Sequence, residues 1–280
     1  MSRIRLFESR DLSEAERLAG LRLEPITPLS RTGRWRRETP HAEHLPVLIW
    51  IARGQGRVMI DAQTRGFGPT SCIVIPANTA FSIEPTPMTE GTLVCLPDLF
   101  EAPLPATPRR LRMADISAQS ELSGLLDRLG QAGDLTDAAN GRAALARVIL
   151  ISALIERQAR NAPPETPSGP AKLARRFARE VEARLGNGDN LAVIGDALDV
   201  TPTHLTRTLR ATCNMTAAQY MTARHIHAAS LRLADTDHSA ANIAQSLGFG
   251  SAAYFTRAFG KATGKTPTQF RQSEGRMRTN

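Results

Sequence analysis

The chain has 280 residues, a hydrophobic fraction of 41% and a formal net charge of +8. This size and composition fit one or two globular domains with a hydrophobic core. No run of about 18 apolar residues occurs and the first 20 residues are polar and charged, so we expect no membrane span, no secretory signal and a cytoplasmic location. The cysteines, Cys72, Cys95 and Cys213, are far apart, which argues against a disulfide framework or a zinc finger.

The positive charge is concentrated in the C-terminal part of the chain. Residues 1–170 hold 20 arginines and 19 acidic residues, a net charge of +1, whereas residues 171–280 hold 15 basic and 8 acidic residues, a net charge of +7. A basic domain attached to a near-neutral one favours a polyanionic partner for the basic part. Charge alone leaves it equally open that the domain binds no polyanion.

Short strands are predicted between residues 20 and 100. Glycines, prolines and Asn78 separate the apolar runs, which cover residues 45–52 (LPVLIWIA), 57–61, 71–75, 81–84 and 92–96. Several short strands at this spacing are typical of a β-sandwich or a β-barrel.

Two helices are predicted within residues 115–160. Leucines 122, 125, 126 and 129 share one helical face, and residues 141–160 form a second helix that is apolar on more than one side, around Val148, Ile149 and Leu150. Such a helix needs burial on more than one side. It is either enclosed within its own domain or forms the seam of a homodimer, and the sequence leaves both open.

A linker is predicted at residues 161–170 (NAPPETPSGP), because its prolines, Ser168 and Gly169 disfavour a helix or a central strand. We place the boundary between the N-terminal and C-terminal domains here.

The C-terminal part, residues 171–280, contains an internal repeat with an offset of 50 residues. Residues 205–207 (LTR) correspond to residues 255–257 (FTR), and farther along the two copies share Thr216 with Thr266 and Gln219 with Gln269. Upstream the offset is 49, so the second copy has one extra residue at its turn.

Each copy has the pattern of a helix-turn-helix unit. In the first copy, Thr201 is a good N-cap and Pro202 suits the first helical position. In the second copy, Ser251 takes the capping position after a turn that contains Gly248. One long helix, residues 216–234, joins the copies, with Arg224 and Arg232 outside its apolar stripe.

The outward faces of the two second helices are the predicted DNA-binding surface. An arginine there can donate two hydrogen bonds to guanine, threonine can contact a base or a thymine methyl, and lysine and arginine can bind phosphates. Arginines 207 and 257 are the main candidates, although a surface ion pair would explain them as well. The full set of candidates is Thr203, Thr206, Arg207, Arg210, Ala252, Ala253, Thr256, Arg257 and Lys261.

Residues 173–272 resemble the DNA-binding domain of AraC/XylS-type regulators. The resemblance rests on residues 243–244 (IA), 247–249 (LGF), 254–259 (YFTRAF) and 264–271 (GKTPTQFR). It implies transcription control, with one recognition helix of each copy in adjacent major grooves. The first copy departs from the usual pattern at Gly195, Asp199 and Asn214. Ala252 and Ala253 offer no hydrogen bonds, so the second copy is expected to read bases poorly.

The strand-rich segment resembles the cupin-like sensor domain that is often joined to this DNA-binding module. Gly54, Gly56 and Asp61 carry this resemblance, with residues 73–76 (IVIP). Metal-binding cupins need several histidines, but only His41 and His44 precede the first strand, so we expect no metal, cofactor or catalytic residue. The sequence predicts an apolar effector pocket lined by Trp50 and Phe81, although these side chains could equally fill the core.

The predicted fold class is α+β and multidomain. The predicted domains are a cupin-like β-barrel sensor (1–114), a helical dimerisation segment (115–160), a linker (161–170) and an all-α domain of two helix-turn-helix units joined by a long helix (171–280).

The predicted function is that of a non-enzymatic, sequence-specific transcription regulator, for example an activator, that responds to a small-molecule effector. The expected partners are double-stranded DNA, an effector and a second copy in a homodimer, with RNA polymerase as a further candidate and no membrane. Two alternatives are a cupin-type metal enzyme with a DNA-binding tail and a DNA binder whose N-terminal domain only oligomerises.

Overall fold

A computed structural model describes residues 13–26, 35–162 and 166–275 of the chain. The described helices are α1 (Glu14–Arg17), α2 (Trp35–Glu38), α3 (Ile116–Gly130), α4 (Ala138–Asn161), α5 (Gly169–Ala183), α6 (Leu191–Ala197), α7 (Pro202–Cys213), α8 (Ala217–Asp235), α9 (Ala240–Ser246), α10 (Ala252–Thr263) and α11 (Pro267–Gly275). The described strands are β1 (Arg22–Pro25), β2 (Val47–Arg53), β3 (Gly56–Ile60), β4 (Gln63–Phe67), β5 (Ser71–Ile75), β6 (Phe81–Pro85), β7 (Glu90–Cys95) and β8 (Arg109–Arg112).

The strands form two antiparallel sheets. The first has the order β1-β7-β2-β5-β8 and the second has the order β4-β3-β6. A β-rich N-terminal region followed by a helical region is therefore confirmed. The closed cupin-like barrel is not: the described strands form two open sheets, with β1 and β8 at the edges of one and β4 and β6 at the edges of the other.

Both faces of the first sheet are buried, which explains why β2 reads as a continuous apolar run. Leu48 and Trp50 point toward the helices that cover this sheet. Val47, Ile49 and Ile51 point the other way, into the layer between the two sheets, where Phe81 and other side chains pack. The alternation of side chains along a strand therefore divides β2 between two cores.

The helices α3 and α4 cover the outer face of the first sheet. Leu122 and Leu126 of α3 pack with Leu145, Val148 and Ile155 of α4 in the same core cluster. An 18-residue window of α4 has a mean hydropathy of 1.5, enough for a membrane span by length and composition. Burial of its stripe within the domain accounts for that apolar character, and this is the first of the two predicted explanations. The homodimer stays a prediction.

Helices extend into both ends of the predicted linker. Helix α4 ends at Asn161, and Gly169 and Pro170 form the first turn of α5. The expectation that Gly169 and Pro170 avoid a helix is wrong because Ser168 caps α5 and proline is tolerated in the first turn. Residues 163–165 lie outside the described residues.

The C-terminal helices cover the outer face of the second sheet. Met59, Ala62 and Ala80 of the N-terminal domain share a core cluster with Phe177 of α5 and Tyr220 of α8. The chain therefore stacks in four layers, which are helices, five-stranded sheet, three-stranded sheet and C-terminal helices.

Val148→Glu should destabilise the protein by about 3–5 kcal/mol, since it places an unpaired charge in the core. Val148 is 2% exposed, whereas Leu150, on the same helix, is 50% exposed. The control Leu150→Glu should therefore change the free energy of unfolding by no more than about 0.5 kcal/mol. Urea unfolding of both variants measures the difference. Equal losses would contradict the placement of this helix.

Candidate nucleic-acid interface

The first helix-turn-helix unit consists of α6, a turn and α7. Ile194, Leu198, Leu205 and Leu209 are buried and hold the two helices together. Thr201 caps α7 by accepting a hydrogen bond of 3.2 Å from the His204 amide, with Pro202 at the start of the helix. Helix α7 ends at Cys213.

Backbone geometry at the turn is compatible with the first two departures from the usual AraC/XylS pattern. A Cβ at Gly195 would lie 2.7 Å from the carbonyl oxygen of Val200, so the turn requires glycine there. Asp199 has a φ of +56°, a conformation that aspartate tolerates better than most residues.

The second unit, α9 and α10, has the same architecture. Ser239 and Ser251 cap its helices, and Phe255 and Phe259 are fully buried. Its turn residue Gly248 corresponds to Asp199 and has a φ of +72°. A Cβ at Gly248 would lie 2.2 Å from the Gly188 amide nitrogen, so the second copy requires glycine at the position that Asp199 occupies in the first.

The repeat extends to the caps beyond each second helix. Asn214 and Gly264 end α7 and α10 in the left-handed conformation, with φ values of +60° and +72°. After each of them, a threonine and a glutamine exchange hydrogen bonds as a capping box, Thr216 with Gln219 and Thr266 with Gln269. Asn214 is therefore a mild departure.

The predicted DNA-binding residues all lie on α7 and α10, and all but one of them are exposed; Thr206 is half-buried. The guanidinium of Arg207 donates a hydrogen bond of 3.2 Å to Nδ1 of His204. The hydroxyl of Thr256 donates one of 2.9 Å to the Ala252 carbonyl. Arg210 lines a cavity of about 550 Å³ together with residues of the N-terminal domain.

Sequence reasoning missed two exposed side chains on these faces. His204 lies one turn before Arg207, and Tyr254, 56% exposed, lies between the second-copy candidates. Their helical spacing from Arg207 and Arg257 was the signal that could have found them.

Arg224, in the middle of α8, is buried between the two domains. Its guanidinium forms a bidentate pair with Glu182 of α5, with 2.7 Å between Nη2 and Oε2, and donates a hydrogen bond of 2.7 Å to the Pro40 carbonyl. The prediction that Arg224 lies outside the buried stripe is wrong, because partners distant in sequence neutralise its charge.

Two histidines stack across the same junction. The rings of His41 and His227 are 4.8 Å apart, and the ring of Trp35 packs against both His227 and Phe270 of α11. Nδ1–H of His41 donates a hydrogen bond of 2.9 Å to the Thr39 carbonyl. Burial lowers the pKa of His41 to about 4 and that of His227 to about 2. His41 is therefore buried, whereas His44 is exposed.

A third junction contact joins Asp61 to α5. Asp61 is 1% exposed, and 3.5 Å separates its Oδ2 from Nε of Arg175. Burial raises the pKa of Asp61 to about 6.

The two predicted effector residues, Trp50 and Phe81, are not brought together. Trp50 donates a hydrogen bond of 3.1 Å to Ser123 on one side of the first sheet, and Phe81 packs between the sheets.

Residues 194–273 match a family described as "Helix-turn-helix domain". This part of the chain is a DNA-binding helix-turn-helix domain, the kind of domain found in transcription regulators. It is of the AraC/XylS type, which confirms the resemblance.

The bifunctional transcriptional activator/DNA repair enzyme AdaA of Bacillus subtilis (strain 168) is 34% identical to the chain over 82 residues. The match covers 29% of this chain and 39% of AdaA, so the chain spans well under half of the length of this relative.

Among solved structures, ToxT from Vibrio cholerae O395 matches 90% of this chain and 96% of its own, with 10% identity and a TM-score of 0.42. The C-terminal domain of AraT, a response regulator from Geobacillus stearothermophilus, matches 38% of this chain and 88% of its own, with 25% identity and a TM-score of 0.36.

Acidification should weaken the junction. Both His41 and His227 stay neutral in the folded protein, whereas a histidine in the unfolded chain takes up a proton near pH 6.5. The free energy of unfolding therefore falls as the pH drops below 6.5, by about 2 kcal/mol for each histidine at pH 5. Asp61 offsets about 1 kcal/mol, since its raised pKa favours the folded state as it takes up a proton below pH 6.

Urea unfolding of wild type and His41→Gln at pH 7 and pH 5 checks this. Between pH 7 and pH 5, the free energy of unfolding of the variant should fall by about 2 kcal/mol less than that of wild type. The exposed His44→Gln should behave as wild type does. Equal pH dependence in all three proteins would contradict the burial of His41.

Proposed function

We propose that the protein is a cytoplasmic, sequence-specific DNA-binding transcription regulator. The observation that carries this proposal is the pair of α7 and α10, each buried on one side and exposing its opposite face, within a region that matches a DNA-binding domain. Helices presented in this way enter the major groove, where base edges are distinguishable.

The charge distribution supports the same function. Residues 171–280 carry a net charge of +7, and Arg210, Arg257 and Lys261 are exposed on the two recognition helices. Lysine and arginine near the duplex bind phosphates and release counterions, which fixes the register of the protein without reading sequence. We assign Arg207 to a base and Lys261 to a phosphate.

We further propose that a small, partly apolar effector binds between the two domains. Side chains, Phe81 among them, fill the space between the sheets, so we place the effector in the cavity of about 550 Å³ outside the second sheet. Met59 and Glu84 line it from one domain, and Arg210 and Met215 from the other. A ligand there contacts both domains at once and so couples to DNA affinity.

A homodimer and a contact with RNA polymerase are part of this proposal.

The filled space between the sheets also favours a second candidate function, that of a DNA binder whose N-terminal domain only oligomerises. A thermal-shift screen of small metabolites separates the two, since a ligand of the folded state raises the melting temperature with dose.

We propose no catalytic role. His41, one of the two histidines that precede the strand at residues 45–52, stacks between Phe81 and His227 and uses its Nδ1–H on a backbone carbonyl. The repair activity in the name of AdaA is a property of that protein, whose match to this chain covers only 82 residues.

The full-length protein should bind duplex DNA with an affinity that falls steeply as salt rises, because each neutralised phosphate releases counterions. Arg207→Ala should cost roughly 1–3 kcal/mol of binding and relax the preference at one base pair. Arg53→Ala removes the same charge from an exposed site of the N-terminal domain. It should change neither the DNA affinity nor the preference at any base pair. Fluorescence anisotropy at several salt concentrations measures both effects, and the absence of salt-sensitive binding would refute the proposal.

A further inference from the structure

The two recognition helices present different chemistry on equivalent faces. Near the start of α7, the exposed side chains Thr203, His204 and Arg207 all carry hydrogen-bonding groups. At the corresponding positions of α10, Ala253 is exposed and carries none, exposed Tyr254 replaces the histidine, and Arg257 retains the arginine. The helices, caps and turns repeat closely, so this contrast is confined to the surface that would meet the bases.

On α7, His204 positions Arg207. The guanidinium donates to Nδ1 of His204 at 3.2 Å, which requires the hydrogen of the neutral imidazole to be on Nε2. The pair therefore presents only N–H donors outward. Their matching partner in the major groove is guanine, whose N7 and O6 are both acceptors. Holding the long arginine side chain in place also lowers the entropy lost on binding.

On α10, the hydrogen-bonding capacity is reduced further. The hydroxyl of Thr256 donates its hydrogen to the Ala252 carbonyl at 2.9 Å, so it is used within the helix. The face formed by Ala252, Ala253 and Thr256 is thus dominated by methyl groups, with the hydroxyl of Tyr254 and the guanidinium of Arg257 beside it. In the major groove, the complementary apolar group is the C5-methyl of thymine.

We propose that the two units read DNA by different means. The first unit reads guanine through Arg207, with His204 as its positioning residue, and the second unit reads thymine methyl groups through Ala252, Ala253 and Thr256. The target is then a two-part site, one part guanine-containing and the other thymine-containing. This inference rests on the proposed DNA-binding function and adds to it the chemistry that each half of the site must have.

The test begins with selection of binding sequences from a pool of random duplexes by the full-length protein. In the selected duplex, each thymine is then replaced by deoxyuridine, which lacks only the C5-methyl. Replacement in the part read by α10 should weaken binding about fourfold for each contacted methyl. Replacement in the other part should leave binding unchanged.

Protein variants assign each part to its helix. Arg207→Ala should reduce the preference for guanine about 5- to 150-fold, and His204→Ala should reduce it about two- to tenfold. His204→Gln, which retains an acceptor, should restore part of that preference. Ala253→Ser should weaken the discrimination between thymine and deoxyuridine without changing the guanine preference.

The outcomes separate the inference from the function on which it rests. Failure to select any sequence would overturn the proposed function. Selection of a specific site in which deoxyuridine has no effect in any position would leave that function intact and overturn the thymine-methyl assignment. An unchanged guanine preference in both His204→Ala and Arg207→Ala would overturn the assignment of α7.

Discussion

The buried guanidinium of Arg224 is the constraint on which the arrangement of the domains depends. A charge with 4% exposure is tolerated only when it is paired and its hydrogen bonds are satisfied. Glu182 supplies the countercharge and accepts two hydrogen bonds, and the Pro40 carbonyl accepts a third. Removal of one partner of such a pair typically costs about 3–5 kcal/mol. Because α8 joins the two helix-turn-helix units, the same residue fixes the N-terminal domain against the helix that spaces them.

The junction between the domains also buries apolar surface. The outer face of the three-stranded sheet carries Met59, Ala62 and Ala80, which are covered by the C-terminal helices. Separation of the domains would expose this apolar surface together with Asp61 and the stacked histidines. Docking is thus favoured by apolar burial and, through His41 and His227, by a pH high enough to keep both rings neutral. The segment from Trp35 to His41 contacts α8 and also Phe270 of the second unit.

Local sequence patterns predicted the C-terminal architecture well, because caps, turns and helical periods are local features. Residues 71–75 were predicted as a strand with the observed bounds. Strand β4 was missed because its sequence, QTRGF, is polar, and pairing with β3 rather than strand propensity makes it a strand.

Features that depend on distant partners could not be predicted. The carbonyl that binds Arg224 lies 184 residues away, and the serine that accepts a hydrogen bond from Trp50 lies 73 residues away. The candidate recognition residues were predicted because outward positions follow from helical spacing alone. The prediction of one pocket lined by both Trp50 and Phe81 is wrong. Trp50 faces the helices that cover the first sheet, whereas Phe81 packs in the layer between the two sheets.

In the proposed function, one protomer places both recognition helices on one duplex, spaced by α8. Hydroxyl-radical footprinting of the full-length protein on a selected duplex tests this most directly. We expect two protected backbone segments on the same face of the DNA, centred about one helical turn, or 10 base pairs, apart for each protomer. A single protected segment for each protomer would show that only one unit engages DNA and would contradict the claim.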